Sequence, residues 1–150
     1  MLFKKSSEKR KSFVIKGFSL VIFDIDDFKK LNDTYGHEGG DLSLKVLSRL
    51  ILKRIRSVDL AARWGGDEII LGLVGANASD AFKIANDIRE KTAKLKIKYL
   101  NKILSFTVSG GVADSHRAKS FNDLFRLVDK ALYKAKKQGK NKIVGLSVGA

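Results

Sequence analysis

An apolar run that ends in acids sets the frame for the whole chain. Phe18-Ser19-Leu20-Val21-Ile22-Phe23 is nearly uninterrupted and rich in strand-forming residues, so it reads as a buried central strand. It stops at Asp24-Ile25-Asp26-Asp27, where carboxylates appear that no strand interior accepts unpaired. Carboxylates two apart on an extended backbone point the same way. Asp24 and Asp26 could therefore share a hard cation such as Mg²⁺, which takes one or two carboxylates plus phosphate oxygens. The ordinary alternative is that Asp26 or Asp27 caps the next helix.

Around that strand the pattern is mixed. A short helical segment is expected from Asp27 to Thr34, stopped by Tyr35-Gly36, and a longer helix from about Gly40 to Ile55. Leu44, Leu47, Ile51 and Ile55 step by three and four and share one face. Two β runs, Leu60 to Trp64 and Glu68 to Val74, joined through Gly65-Gly66, read as a hairpin. A helix follows from Ser79 to Leu95, with Ser79 or Asp80 as N-cap. Ile103 to Val108 reads as a strand ended by Gly110-Gly111. Ser120-Phe121-Asn122-Asp123 resembles a capping box for a helix that Gly139 stops, and Lys142 to Leu146 can form a last strand. The succession implies an α+β domain whose central, mostly antiparallel sheet is flanked by helices.

Composition narrows the class. At 150 residues with 44% hydrophobic content, the chain is one ordinary domain rather than a disordered segment. It has no apolar stretch of ~18 residues, so no membrane-spanning helix is expected. Residues 1–16 are basic and poorly periodic and read as a tail or linker stub without a secretion signal, leaving 17–150 as the folded domain. Without cysteine there is neither a disulfide nor a thiolate metal site. The net charge of +14 attracts polyanions, but the basic residues are scattered. They form no basic stripe interleaved with aromatics, so a nucleic-acid partner is not expected.

Two further clusters carry chemistry. Gly65-Gly66-Asp67-Glu68-Ile69 places two acids directly after a glycine pair that leaves the backbone open to a ligand. Alone it reads as a polar turn. Together with Asp24 it offers acidic ends of two strands that can meet at a metal. Arg56-Ser57-Val58-Asp59, taken alone, reads as a helix-end arginine and a strand-entry aspartate on a solvated surface, though an arginine donor and a carboxylate acceptor so spaced can also clasp a polar ligand.

The long stretch from Phe23 through Asp41, which includes Phe23-Asp24-Ile25-Asp26-Asp27-Phe28-Lys29 and Asn32-Asp33-Thr34-Tyr35-Gly36-His37, resembles the signature of the GGDEF domain. Arg63-Trp64-Gly65-Gly66-Asp67-Glu68-Ile69 is similar to the motif that names the family. Phe106 to Ala113 resembles its later strand, and Asp129 to Asn141 its closing helix. These matches cover roughly Phe18 to Val144 in the family's order.

The resemblance implies a fold like nucleotidyl cyclase and polymerase palm domains, and a diguanylate cyclase that condenses two GTP into cyclic di-GMP and releases two pyrophosphates. Asp24, the carbonyl of Ile25, Asp67 and Glu68 would hold two Mg²⁺ ions, or Mn²⁺ in their place. Asp67 and Glu68 would be catalytic, Glu68 as a ligand or by helping to deprotonate the attacking 3′-hydroxyl. Asn32 and Asp41 would bind guanine; Lys29, Lys136, Lys140 and main-chain N–H groups near Phe28 would hold the triphosphate. Arg56 and Asp59 would bind cyclic di-GMP as an inhibitor. The family pattern further implies a homodimer for catalysis, an upstream sensor domain and a cytoplasmic setting, alone or within a larger sensor protein. A silent domain that only binds cyclic di-GMP or GTP is the alternative. Three departures stand out: Ile69 in place of Phe, Lys140 where the family often has Arg, and no Asp-x-Leu-Thr-Gly-Leu-x-Asn-Arg stretch within Met1–Gly17.

Overall fold

The computed structural model describes residues 17–145. The basic tail expected over residues 1–16 and the far end of the last strand, at Leu146, lie outside them. The elements run β1 (Phe18–Ile25), α1 (Phe28–Arg54), β2 (Leu60–Arg63), β3 (Glu68–Val74), α2 (Ala78–Ala93), β4 (Ile97–Tyr99), β5 (Lys102–Leu104), β6 (Val108–Asp114), α3 (Phe121–Lys137) and β7 (Ile143–Gly145). Five strands form one sheet in the order β2-β3-β1-β6-β7, with β4 and β5 as a separate hairpin. Every pairing in the large sheet is antiparallel except β6 with β7. This is the α+β architecture expected from the sequence.

β1 lies at the centre, between β3 and β6, and explains its own composition. Val21, Phe23 and Ile25 pack into one cluster with Leu44, Leu47 and Ile51 of α1 and Ala81, Ala85 and Ile88 of α2. Leu20 and Ile22 point the other way, onto Leu124, Val128 and Leu132 of α3. A strand covered on both faces has no polar side, so its sequence does not alternate. At roughly 25 cal/mol per Å² of apolar area removed from water, these paired layers are the main source of stability.

The two helices expected on either side of Tyr35-Gly36 are present and meet end to end at a kink, so α1 is a pair of helices in one span. Gly36 takes φ 80°, ψ 169° inside α1, a left-handed backbone that glycine adopts without a Cβ penalty. The helix bends there and resumes at once, without a loop.

Two expectations need correction. The N-cap of α2 is Asn77, whose side chain accepts from the Asp80 N–H at 2.8 Å, and not Ser79 or Asp80. The strand expected over Ile103–Val108 is instead β5, a break, and β6, which runs straight through Gly110-Gly111. There the glycines serve close packing. A Cβ on Gly111 would lie 2.3 Å from the Val128 carbonyl oxygen, and one on Gly110 would lie 2.9 Å from Ile143 Cδ1. Helix α3 and strand β7 rest directly on this backbone. The start of α3 is as the capping pattern implies, with Ser120 accepting from the Asp123 N–H at 3.1 Å.

Candidate active site

The site forms where β1 and β3 end together. Asp24 pairs with Glu68 in the β1–β3 register, and the Ile25 N–H donates to the Asp67 carbonyl at 3.1 Å. The alternation that sends Leu20 and Ile22 toward α3 sends Asp24 the same way, where Lys136 of α3 lies 3.5 Å from it. Asp24, Asp67 and Glu68 are thus gathered by strand pairing, and a lysine comes in from the helix above.

The electrostatics follow from that crowding. The Asp24 carboxyl is pushed up to about 7, first by burial, then by the Asp67 carboxyl and the charge of Glu68, with Lys136 opposing. Glu68 is raised as well, by burial and then by Asp67 and Asp129, again with Lys136 opposing. Asp24 Oδ1 is buried without a hydrogen-bond partner. Oxygens that repel one another out of water, one of them unpartnered, fit a divalent cation, which would favour their ionised forms. Among the described residues no three acids close into a ready-made cage. Mg²⁺ does not need one, because it keeps waters and borrows phosphate oxygens.

The turn between β2 and β3 is braced by Arg63, which donates to the carbonyls of Gly65 at 3.2 Å and Gly66 at 2.7 Å. The glycines there are not left-handed, and a Cβ on Gly66 would meet nothing within 4 Å. Their contribution is an uncluttered approach and not a forced turn.

The second unpartnered buried acceptor is Asn32 Oδ1. It packs onto Gly40, where a Cβ would lie only 1.9 Å away. The kink at Gly36 thus folds the first half of α1 onto the second and sets Asn32 beside the residue preceding Asp41, which is exposed. A buried amide oxygen without a donor, next to an open carboxylate, suits a ligand edge that carries N–H groups.

Donors for phosphate lie close by. The N-cap of α1, Asp27, makes no side-chain cap and instead pairs with Lys140 at 2.6 Å. The first-turn N–H groups at Phe28 and Lys29 therefore lack a side-chain acceptor, which is the setting that attracts an anion. The Lys29 side chain is exposed. Lys136 is held between Asp24 and Asp26.

Sequence reading pairs Asp26 with Asp24 as a cation ligand, or takes it as a helix cap; the structure instead buries it, at 5% exposure, among hydrogen-bond donors. It accepts from Thr107, Ser109, Lys136 and the Asn141 N–H. Burial would raise its carboxyl, but these bonds outweigh it and leave Asp26 below the usual range. Its spacing from Asp24 was the only local clue. A cleft of about 450 Å³ opens on the other side, lined by Asp26, Asp27, Lys30, Thr34, Tyr35 and Phe106 among others. None of Asp24, Asn32, Asp41, Asp67 or Glu68 contributes to its wall.

Arg56 and Asp59 lie apart from this group. Asp59 is buried and accepts from the N–H groups of Arg56 (2.9 Å) and Val74 (3.0 Å). The Arg56 guanidinium donates to both Asp59 oxygens and to the Val74 carbonyl while its side chain stays 60% exposed.

Comparison with known proteins bears on this arrangement. The family profile described as "Diguanylate cyclase, GGDEF domain" matches residues 3–142. Diguanylate cyclase DgcM of Escherichia coli K12 is 40% identical over 131 residues, covering 87% of this chain; the chain spans about a third (31%) of that relative's length. The GGDEF domain of DgcB from Caulobacter crescentus, solved in complex with c-di-GMP, superposes with a TM-score of 0.82 at 30% identity, covering 86% of this chain and 77% of that one. The active GGEEF domain of a diguanylate cyclase from Vibrio cholerae does so with 0.82 at 31% identity, covering 93% and 88%.

Proposed function

The chain belongs to the GGDEF family of diguanylate cyclase domains, and we propose on that premise that it joins two GTP molecules into cyclic di-GMP. The observation that carries this reading is the pair of unpartnered buried acceptors, Asp24 Oδ1 and Asn32 Oδ1. One lies in the acid cluster and the other at the fold of α1. Buried polar atoms without partners are rare and costly. Here one suits a cation and the other a purine N–H.

In this reading Asn32 and Asp41 bind the guanine edge. Phe28 and Lys29 offer main-chain N–H groups to the phosphates, and Lys29, Lys136 and Lys140 add positive charge. Asp24, Asp67 and the Ile25 carbonyl would hold Mg²⁺, with Glu68 as a further ligand or as the base. When bound, the metal neutralises charge on the attacking and leaving oxygens. Where it does not serve as a ligand, Glu68 would help to take the proton of the 3′-hydroxyl. That oxygen attacks the α-phosphorus of the second GTP and pyrophosphate leaves; the reciprocal attack by the second 3′-hydroxyl closes the ring and releases the second pyrophosphate. One domain holds one GTP, so two copies must face each other, most simply with two-fold symmetry. Arg56 presents its exposed guanidinium to the product as the inhibitory contact.

The test is to incubate the purified chain with GTP and Mg²⁺ and to separate the products chromatographically. Cyclic di-GMP is expected with GTP and not when ATP replaces it. GTP binding without turnover would instead mark a silent binding module.

A further inference from the structure

We propose that Asp26 is a positioning residue that sets the two phosphate-facing lysines, and that it is not a metal ligand. The inference rests on the cyclase reading for the role of the lysines, and on hydrogen bonding alone for the role of Asp26.

All four of its bonds come from distant parts of the chain. Oδ1 accepts from Ser109 Oγ at 2.7 Å and from Lys136 Nζ at 2.9 Å. Oδ2 accepts from Thr107 Oγ1 at 2.7 Å and from the Asn141 N–H at 3.0 Å. A carboxylate has about four acceptor sites, so this one is saturated and has none left for a cation. Asp24, two residues earlier, is the opposite case, with a buried oxygen that nothing occupies.

The bond to Asn141 matters most, because of where Asn141 sits. Gly139, Lys140 and Asn141 follow one another in left-handed backbone, at φ 113°, 65° and 47°. Glycine accepts this; two successive side-chain-bearing residues do so only if the surroundings hold them. Three contacts hold this loop. Asp26 takes the Asn141 N–H, Arg89 donates to Asn141 Oδ1 at 3.0 Å, and the Lys140 N–H returns to the Ala135 carbonyl at 3.0 Å. The strained loop carries Lys140 toward Asp27, at the N-terminus of α1. Asp26 thus fixes Lys136 through its side chain and Lys140 through the backbone of the next residue.

The Asp26→Asn substitution keeps the volume but sets an NH₂ group against donors. The test compares wild type and variant in two metal-free calorimetric titrations, one with inorganic pyrophosphate and one with guanosine, alongside a melting curve. Pyrophosphate affinity is expected to fall by about tenfold or more, in line with the effect of misplacing a binding group by an ångström. Guanosine affinity should not change.

Unchanged pyrophosphate affinity with only a lower melting temperature would overturn the proposal, and so would equal losses for both ligands. If Asp26→Asn does not fold, Thr107→Val removes one donor at constant shape. It should lower pyrophosphate affinity in the same direction by less, and no change there would also overturn it. Absence of cyclic di-GMP synthesis by the wild type would defeat the cyclase reading and leave this comparison of binding intact.

Discussion

Asp24 and Glu68 face each other across the β1–β3 ladder, so two acids from separate strands share the side of the sheet that α3 covers. Among the described residues no arginine pairs with either, and Lys136, which reaches Asp24, is shared with Asp26. The fold thus maintains a site of concentrated negative charge.

That charge gives the metal-free protein a signed pH dependence. Asp24 ionises at about 7 when folded, against 3.8 as the ordinary value. Between those limits the folded chain binds a proton that the unfolded chain has lost, so stability should fall as pH rises from about 4 to 7. Glu68 adds the same sign above its ordinary value of 4.5. Asp26, whose carboxyl is lowered, acts only in more acidic solution, where its contribution is lost as pH falls. Asp24→Asn should raise the metal-free melting temperature at pH 8 and flatten the slope between pH 4 and 7. Thermal melts over that range check it, and an unchanged slope would count against the raised carboxyl.

Asp67→Ala and Glu68→Ala should each reduce cyclic di-GMP synthesis by about a hundredfold or more, corresponding to about 3 kcal/mol of lost transition-state stabilisation. Both residues are only partly buried and lie at a hairpin end, so the fold should survive. Circular dichroism with initial rates separates the two effects. Near-wild-type turnover in both variants would remove the metal-site assignment.

Asn32 should govern the choice of base. A site built to bond guanine leaves polar groups unpaired when adenine enters, which can discriminate by ~10⁴. Asn32→Ala should weaken GTP binding while leaving the metal-free melting temperature almost unchanged, since the lost oxygen has no partner to abandon. Gly40→Ala should also weaken GTP binding, by displacement, because its Cβ would fall 1.9 Å from Asn32 Oδ1, and should lower the melting temperature by overpacking. Titration of both variants with GTP and ATP tests this.

Arg56 and Asp59 should separate by phenotype. Arg56→Ala should leave the maximal rate intact and require about tenfold more cyclic di-GMP for equal inhibition, since Nε and Nη2 already serve Asp59 and the Val74 carbonyl and Nη1 is left for guanine. Asp59→Ala should instead destabilise the fold by about 2 kcal/mol or more, because the buried N–H groups of Arg56 and Val74 would lose their acceptor. Calorimetry with the product and chemical denaturation distinguish the two. Equal product affinity in wild type and Arg56→Ala would return Arg56 to an ordinary surface role.

Much of this was legible in the sequence. The uninterrupted run in β1 announced a strand covered on both faces, and the acids after it announced a site at its end. Ser120 and Asp123 marked the start of α3 because capping is local chemistry. What failed was mostly non-local. Gly110-Gly111 looks like a strand terminator until α3 is seen lying on it. The α2 cap was a local miss: Asn77 is itself a favoured capping residue and accepts from the Asp80 N–H. The part played by Asp26 depends on partners more than eighty residues away in sequence, Thr107 and Ser109 among them. No local pattern records that. Burial of Asp59 under Val74 is hidden for the same reason.

The most direct measurement follows cyclic di-GMP and pyrophosphate together, with GTP and Mg²⁺, over a hundredfold dilution series of the protein. Two pyrophosphates are expected per cyclic di-GMP formed, with a specific activity that rises with protein concentration because half-sites on two copies must meet. GTP bound but unconverted at every concentration, or pyrophosphate released without cyclic di-GMP, would contradict the cyclase reading.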